Sequence, residues 1–240
     1  YESALAFWDH WARQQLQEEL LLGQKGLTDV VSLGLQLAKS IQDLYHNLPL
    51  ALQVLQVLEQ AVVLHGSSES SQAASVHNNI GSVLQAQGNL PEALTHLRQA
   101  LAIREKVFGA EHPKVALSHN NIGVVLQDLG NLPEALAQHR QALAIREKVF
   151  GAEHPDVALS HSNIGAVLQD LGNLPEALTQ LRRALAIREK VFGAEHPDVA
   201  ESHNNIGLVL RAQGNLPEAL THLRQALAIQ EKVFGAEHPD

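Results

Sequence analysis

Fourteen histidines stand in this chain, and eight of them fall into two regular series. His77, His119, His161 and His203 recur at intervals of 42 residues, as do His112, His154, His196 and His238. Imidazole is the commonest protein ligand for transition metals, so metal binding is the first chemistry to weigh. The spacing argues against it. Equivalent residues in stacked helical layers lie about 10 Å apart, one helix diameter, whereas a Zn–N bond is about 2.0–2.1 Å long. Neighbouring copies cannot share an ion in that way, and no His-Glu-x-x-His motif or pair of histidines four apart is present. The histidines are expected to be structural, with no metal site. Those that precede Pro at a helix start, such as His112, are expected to cap or pack the loop.

Other chemistries find no foothold. No Gly-rich phosphate loop of the form GxxxxGK or GxGxxG occurs, and no GxSxG nucleophile motif. Asp and Glu are plentiful but symmetric, so no carboxylate pair stands apart as acid and base. "REK" at Arg104–Lys106 and its copies reads as a solvated, charged helix face with intrahelical pairs. The expectation is a non-enzyme without a cofactor.

Composition narrows the partners. Net charge is −9, which gives no general attraction for nucleic acid or anionic lipid. No apolar run approaches the roughly 18 residues of a membrane span. The chain contains no cysteine, so it has neither disulfides nor thiolate sites. Aromatics are only 4%, and the apolar residues are mostly Leu, Ala, Val and Ile, a mixture suited to packed helices. A cytoplasmic location is expected, although a cysteine-free chain suits any compartment.

The elements that position these residues repeat with them. Asn79, Asn121, Asn163 and Asn205 are spaced by 42, as are Gly81, Gly123, Gly165 and Gly207, and Pro91, Pro133, Pro175 and Pro217. Four units run from Val76 to the C-terminus, and each reads as two helices. In the second unit the first helix starts at Pro113. Val115, His119, Ile122, Val125, Leu126 and Leu129 form its apolar stripe. Gly130 caps it. Asn131-Leu-Pro-Glu134 opens the second helix as a capping box, with Glu134 reaching back to Asn131. Leu136, Ala142, Leu143, Ile145 and Val149 carry that helix on to Gly151. Gly123, Ala135 and Ala142 are expected where the two helices cross at 8–10 Å, a typical interaxial distance.

The first 75 residues diverge. "NLPLAL" at Asn47–Leu52 precedes "NLPEAL" at Asn89–Leu94 by 42, while "LEQAVVL" at Leu58–Leu64 precedes "LRQALAI" by 39. Residues 33–75 therefore read as a degenerate unit with a slipped second helix. Residues 1–32 read as an N-terminal helical segment or cap around Leu5, Trp8, Leu16 and Leu20. At the other end "GAEHPD" opens a further unit that is not completed. The array of 76–240 is thus expected to be part of a longer one, and its last unit is expected to pack end to end.

"NNIGSVLQAQGNLPEALTHLRQALAI", Asn78 to Ile103, resembles the tetratricopeptide repeat, whose small and large signature positions fall on Ile80, Gly81, Leu84, Gly88, Ala93, Leu97 and Ala100. The 42-residue period and "ALAIREKVFGAEHPDVA" resemble most closely the long repeats of kinesin light chains. His77 and its equivalents occupy a signature position usually held by a large core residue. The resemblance implies an all-α, right-handed superhelical solenoid of antiparallel helix pairs, with extended peptides held in the concave groove lined by the first helices. Position by position it implies groove residues Asn78, Ser82 and Gln85, then Asn120, Val124, Gln127 and Asp128. In the third unit these are Ser162, Ala166, Gln169 and Asp170, and in the fourth Asn204, Leu208 and Arg211. Ser162 departs from the Asn ladder. The groove is mostly amide, where kinesin light chain grooves are more basic, which argues against acidic cargo. Amides offer both a donor and an acceptor, so one per layer can pair with the backbone of an extended peptide whatever its sequence.

The expected function is therefore a protein–protein interaction scaffold that binds a peptide or partner protein in its groove. Two alternatives follow from the same features. The chain could be the sensor arm of a larger signalling protein, such as a repeat-bearing ATPase or protease, or a structural array that self-assembles by stacking.

Overall fold

The computed structural model describes residues 24–45 and 47–235, and the N-terminal helix expected around Leu5–Leu20 lies outside them, as does His238. Ten α-helices and no strand are found among the described residues. They are α1 Gln24–Tyr45, α2 Leu48–Leu64, α3 Ser71–Ala86, α4 Leu90–Phe108, α5 Pro113–Asp128, α6 Leu132–Phe150, α7 Pro155–Asp170, α8 Leu174–Phe192, α9 Pro197–Ala212 and α10 Leu216–Phe234. The chain divides into two compact units between Ala110 and Glu111. In the first, α1 packs on α2, α2 on α3 and α3 on α4. In the second, each of the helices from α5 to α10 packs on the next. This is an all-α repeat array. α1 runs without interruption through residue 33, and Gly34 lies against Leu58 of α2.

The junctions follow from local chemistry. α5 ends in a Schellman closure: the Asn131 N–H donates to the Leu126 carbonyl at 2.8 Å, and the Gly130 N–H to the Gln127 carbonyl at 2.8 Å. Gly130 has φ +76°, a conformation that side chains with a Cβ rarely adopt. The closure corrects the capping box. The Asn131 N–H is already spent, so Glu134 cannot reach it. Instead Asn131 Nδ2 donates to Glu134 Oε2 at 2.8 Å, and the same side-chain pair recurs at Asn173–Glu176. At Asn47 the residue three later is Leu50, and there the Asn side chain does accept the backbone N–H of Leu50.

The "GAEHPD" linker is accounted for almost letter by letter. Gly151 ends α6 with φ +85°. Glu153 pairs with Lys190 at 3.0 Å. His154 stacks on Phe150 with ring centroids 4.5 Å apart, and its Nδ1 accepts the Asp156 N–H at 3.1 Å as the N-cap of α7. Pro155 fills the first turn. His112 and His196 cap α5 and α9 in the same way.

Packing within each pair turns on one glycine. A Cβ on Gly81 would lie 2.7 Å from Leu97, and one on Gly165 2.7 Å from Leu181. Only Gly lets the first helix come that close, and Ala93, Ala135, Ala142 and Ala177 are fully buried in the same seams. Around them lies an aliphatic core of Ile164, Leu168, Leu181, Ile206 and Leu210, each contributing about 1.5–3 kcal/mol by leaving water. One expected stripe residue falls outside that core: Leu129 is 41% exposed. It sits just beyond the end of α5, where the chain is already turning out to solvent.

One repeat breaks the pattern. Where the siblings place Leu97 and Leu181 against glycine, the second repeat places His139, 1% exposed and 2.7 Å from the Cβ position of Gly123. Both of its ring nitrogens are buried without a hydrogen-bond partner. Burial, reinforced by the nearby Arg146 cation, lowers the His139 pKa to about 4. The unfolded chain protonates this imidazole near pH 6.5. Between those values the unfolded state binds a proton that the folded state refuses, so stability is complete above pH 6.5 and is lost as pH falls towards 4. His139→Leu is expected to stabilise the protein at pH 7 by about 2 kcal/mol, by removing two unsatisfied buried nitrogens. It should also flatten the loss of stability between pH 6.5 and 4. Urea denaturation of both proteins at pH 7 and pH 4.5 checks this; equal stabilities at both values would refute it.

Candidate functional site

The groove residues inferred from sequence all fall on first helices. Asn78, Ser82 and Gln85 lie on α3 in the first unit; the rest lie on α5, α7 and α9 in the second. Their environments differ. Asn120 and Ser162 are buried, Val124, Gln127, Gln169 and Leu208 are half-buried, and Asp128, Ala166, Asp170, Asn204 and Arg211 are exposed. Two of them meet across neighbouring repeats: Gln127 Nε2 donates to Asp170 Oδ2 at 2.6 Å. Ser82 instead turns back on its own helix, its hydroxyl donating to the Asn78 carbonyl at 3.1 Å.

Beneath this face lies what the sequence reading missed. The arginine of each "REK" is not solvated: Arg104, Arg146 and Arg188 are each 5% exposed. The triplet is not one solvated face: consecutive residues stand about 100° apart around a helix, and the arginine lies on the inward side. Arg104 Nη1 donates to Asn78 Oδ1 at 3.3 Å. Arg146 Nη1 donates to Ser160 Oγ at 2.7 Å and to the Asp156 carbonyl at 3.3 Å, and reaches Asn120 Oδ1 at 3.5 Å. Arg188 makes the same bonds one repeat later, to Ser202 Oγ at 2.8 Å and the Asp198 carbonyl at 3.1 Å, with Glu201 3.4 Å away. Each of these last two guanidiniums joins a second helix to the next repeat. Burial pulls Arg104 and Arg146 below the ordinary guanidinium value, but arginine keeps its charge in proteins. A usable signal was present: Ser118, Ser160 and Ser202 recur with the period of the arginines, and Gln230 replaces the arginine in the last repeat.

The lysines of the triplet pair between elements, not within a helix. Lys106 meets Glu69, Lys148 meets Glu111, Lys190 meets Glu153 and Lys232 meets Glu195. These pairs are well exposed and contribute little each. The recurring histidines pair inside each repeat with the residue 19 positions later: His119 Nδ1 with Gln138 Oε1 at 2.7 Å, and His161 Nδ1 with Gln180 Oε1 at 2.6 Å. His77 meets His96, and His203 meets His222. The 42-residue period relates each histidine to its copies and carries no trace of these partners 19 residues away. Burial lowers the pKa of His77, His161, His203 and His222. Among the described residues, no helix is long and apolar enough to cross a membrane.

Ser162 marks the weak rung. Its hydroxyl is buried with no hydrogen-bond partner, where Asn78 and Asn120 offer an amide oxygen to the arginine of their own repeat. Ser162→Asn gives Arg188 that oxygen. The expected gain is about 1 kcal/mol, the size of one buried hydrogen bond, which urea denaturation resolves. A destabilised variant would show that Ser162 fits its site better than the ladder residue does.

Tetratricopeptide repeats match residues 72–148, 115–190 and 156–232, more than half of the chain. No curated protein matches it in sequence. Among solved structures, the nearly identical TPR-like repeats of a kinesin-light-chain-like protein of Podosopora anserina superpose with a TM-score of 0.74 at 27% identity, covering 85% of this chain and 96% of that one. BtubC (BKLC) from P. vanneervenii gives a TM-score of 0.65 at 18% identity over 95% and 94% of the two chains. The apo form of RapI gives 0.72 at 19% identity over 84% and 70%. The last two likenesses are likenesses of fold. With its helix pairs, its glycine crossings and its repeated signature in register, the chain belongs to the tetratricopeptide repeat family.

Proposed function

We propose that this chain is a non-catalytic interaction scaffold that takes an extended peptide, or an extended segment of a partner protein, along the face of its first helices. The fold is generally a scaffold, and solenoids of this kind present extended binding surfaces. The observation that carries the reading is the support beneath that face. Gln127 is tied to Asp170 of the next repeat, and Arg146, 5% exposed, holds the buried Asn120 beneath them. Amides held in place lose little freedom on binding, so more of the interaction appears as affinity. Between them Val124, Ala166 and Leu208 offer apolar seats for alternate side chains of the peptide.

Ala166 is exposed on this face, so a large residue there obstructs the surface without entering the core. Peptides selected on the wild-type chain from a random library are expected to bind Ala166→Arg at least about 10-fold more weakly, a loss of roughly 1.4 kcal/mol. Thr179→Arg, exposed on the second helix α8, should leave their binding unchanged. Loss of binding in Thr179→Arg alone would move the site to the second-helix face.

One observation favours a second reading, self-stacking. On α10 Leu216, Leu220 and Leu227 are 61%, 47% and 50% exposed, whereas Leu174, Leu178 and Leu185 at the same positions of α8 are covered to a greater degree. Sedimentation velocity is expected to show concentration-dependent association of the wild type, and Leu220→Glu/Leu227→Glu should abolish it. A wild type that stays monomeric at high concentration would rule this out.

A further inference from the structure

Three side chains from three different helices of the first unit converge below the seam of α2, α3 and α4. Glu59 lies on α2, His77 on α3 and His96 on α4. His77 Nδ1 and His96 Nδ1 are 3.1 Å apart. Glu59 Oε1 is 3.3 Å from His77 Nδ1 and 3.9 Å from His96 Nδ1. Both histidine side chains are 16% exposed and the glutamate 31%. We propose that Glu59, His77 and His96 form a binding site for a single divalent transition-metal ion of the zinc class.

The separations carry the assignment. Ligand atoms at 2.0–2.2 Å from a tetrahedral ion stand about 3.3–3.6 Å from one another, and the three observed separations bracket that range. Two imidazoles and a carboxylate are a ligand set that zinc accepts, with a fourth position left for water. A pocket of about 20 Å³ reaches Glu59 and His77, room for one water-sized ligand. The two Nδ1 atoms face each other, so without an ion one ring must donate to the other and the carboxylate competes for the same proton. An ion engages all three lone pairs at once.

The other repeats supply internal controls. In the second and third, Gln138 and Gln180 take the place of His96 and accept from the histidine Nδ1. In the fourth, His203 and His222 pair at 2.9 Å, but among the described residues only Glu59, His77 and His96 gather three ligand atoms within reach of one ion. Glu59, the third ligand, comes from the divergent helix α2. A bound ion would join three helices at one point and stabilise the first unit.

The test uses the untagged chain, stripped with EDTA and dialysed. Calorimetric titration with Zn²⁺ is expected to show one equivalent bound with micromolar or tighter affinity, and Co²⁺ should give the visible absorption of a four-coordinate site. His96→Gln copies the arrangement at Gln138, so its metal-free unfolding midpoint should match the wild type. Its zinc affinity should fall by more than about 100-fold, since loss of an outer-shell partner alone costs 10–100-fold. Glu59→Gln should weaken binding in the same direction, and His222→Gln should leave it unchanged. Absence of binding to the wild type, undiminished binding in both His96→Gln and Glu59→Gln, or loss in His222→Gln instead would each overturn the assignment.

Discussion

Everything in the array depends on how closely two helices of a pair can approach. That distance is set by a glycine in the first helix meeting a large side chain of the second, as Gly81 meets Leu97 and Gly165 meets Leu181. A glycine inside a helix costs on the order of 1 kcal/mol against alanine, and the buried seam that it opens offsets the cost. Ala93, Ala135 and Ala177 line the same seams without any exposed area. The second repeat shows how tightly the geometry is held. It keeps the approach even with His139 in place of leucine, leaving two ring nitrogens without partners in the core.

The repeats are then coupled by a charge. Arg146 and Arg188 rise from second helices and end against the serine and the first-turn carbonyl of the following repeat. A buried cation is tolerated only where its donors are satisfied, and the period of 42 brings Ser160 and Ser202 to those donors each time. Asn78 and Asn120 accept from the arginine of their own repeat, so Arg146, which ties two layers together, also fixes the buried Asn120 beneath the first-helix face.

Much of this was legible in the sequence, because each repeat states the pattern again. The helix starts at Pro113 and Pro155, the stops at Gly130 and Gly151, and the crossing glycines follow from φ limits and side-chain size, which are properties of single residues. What could not be read depends on partners. Arg104 looked like a surface residue beside Glu105 and Lys106, since nothing local says that an Asn 26 positions earlier will receive it. The capping box failed because the Asn131 N–H was already used by the preceding helix. Leu129 continues the apolar stripe by periodicity, although its place just past the helix end carries it outward. The 42-residue period relates the histidines only to their own copies. Their true neighbours lie 19 residues away on the facing helix, and in one case on a helix whose register the repeat does not predict.

The central proposal is that the exposed and half-buried amides of the first-helix face are what a bound peptide touches. The most direct measurement is a side-chain amide NMR titration of the isotopically labelled chain with a peptide selected on it. The account predicts shifts in Gln127, Gln169 and Asn204, with Asn131 and Asn173, which pair with Glu134 and Glu176 at the starts of second helices, unmoved. Shifts confined to Asn131 and Asn173, with the first-helix amides silent, would contradict it.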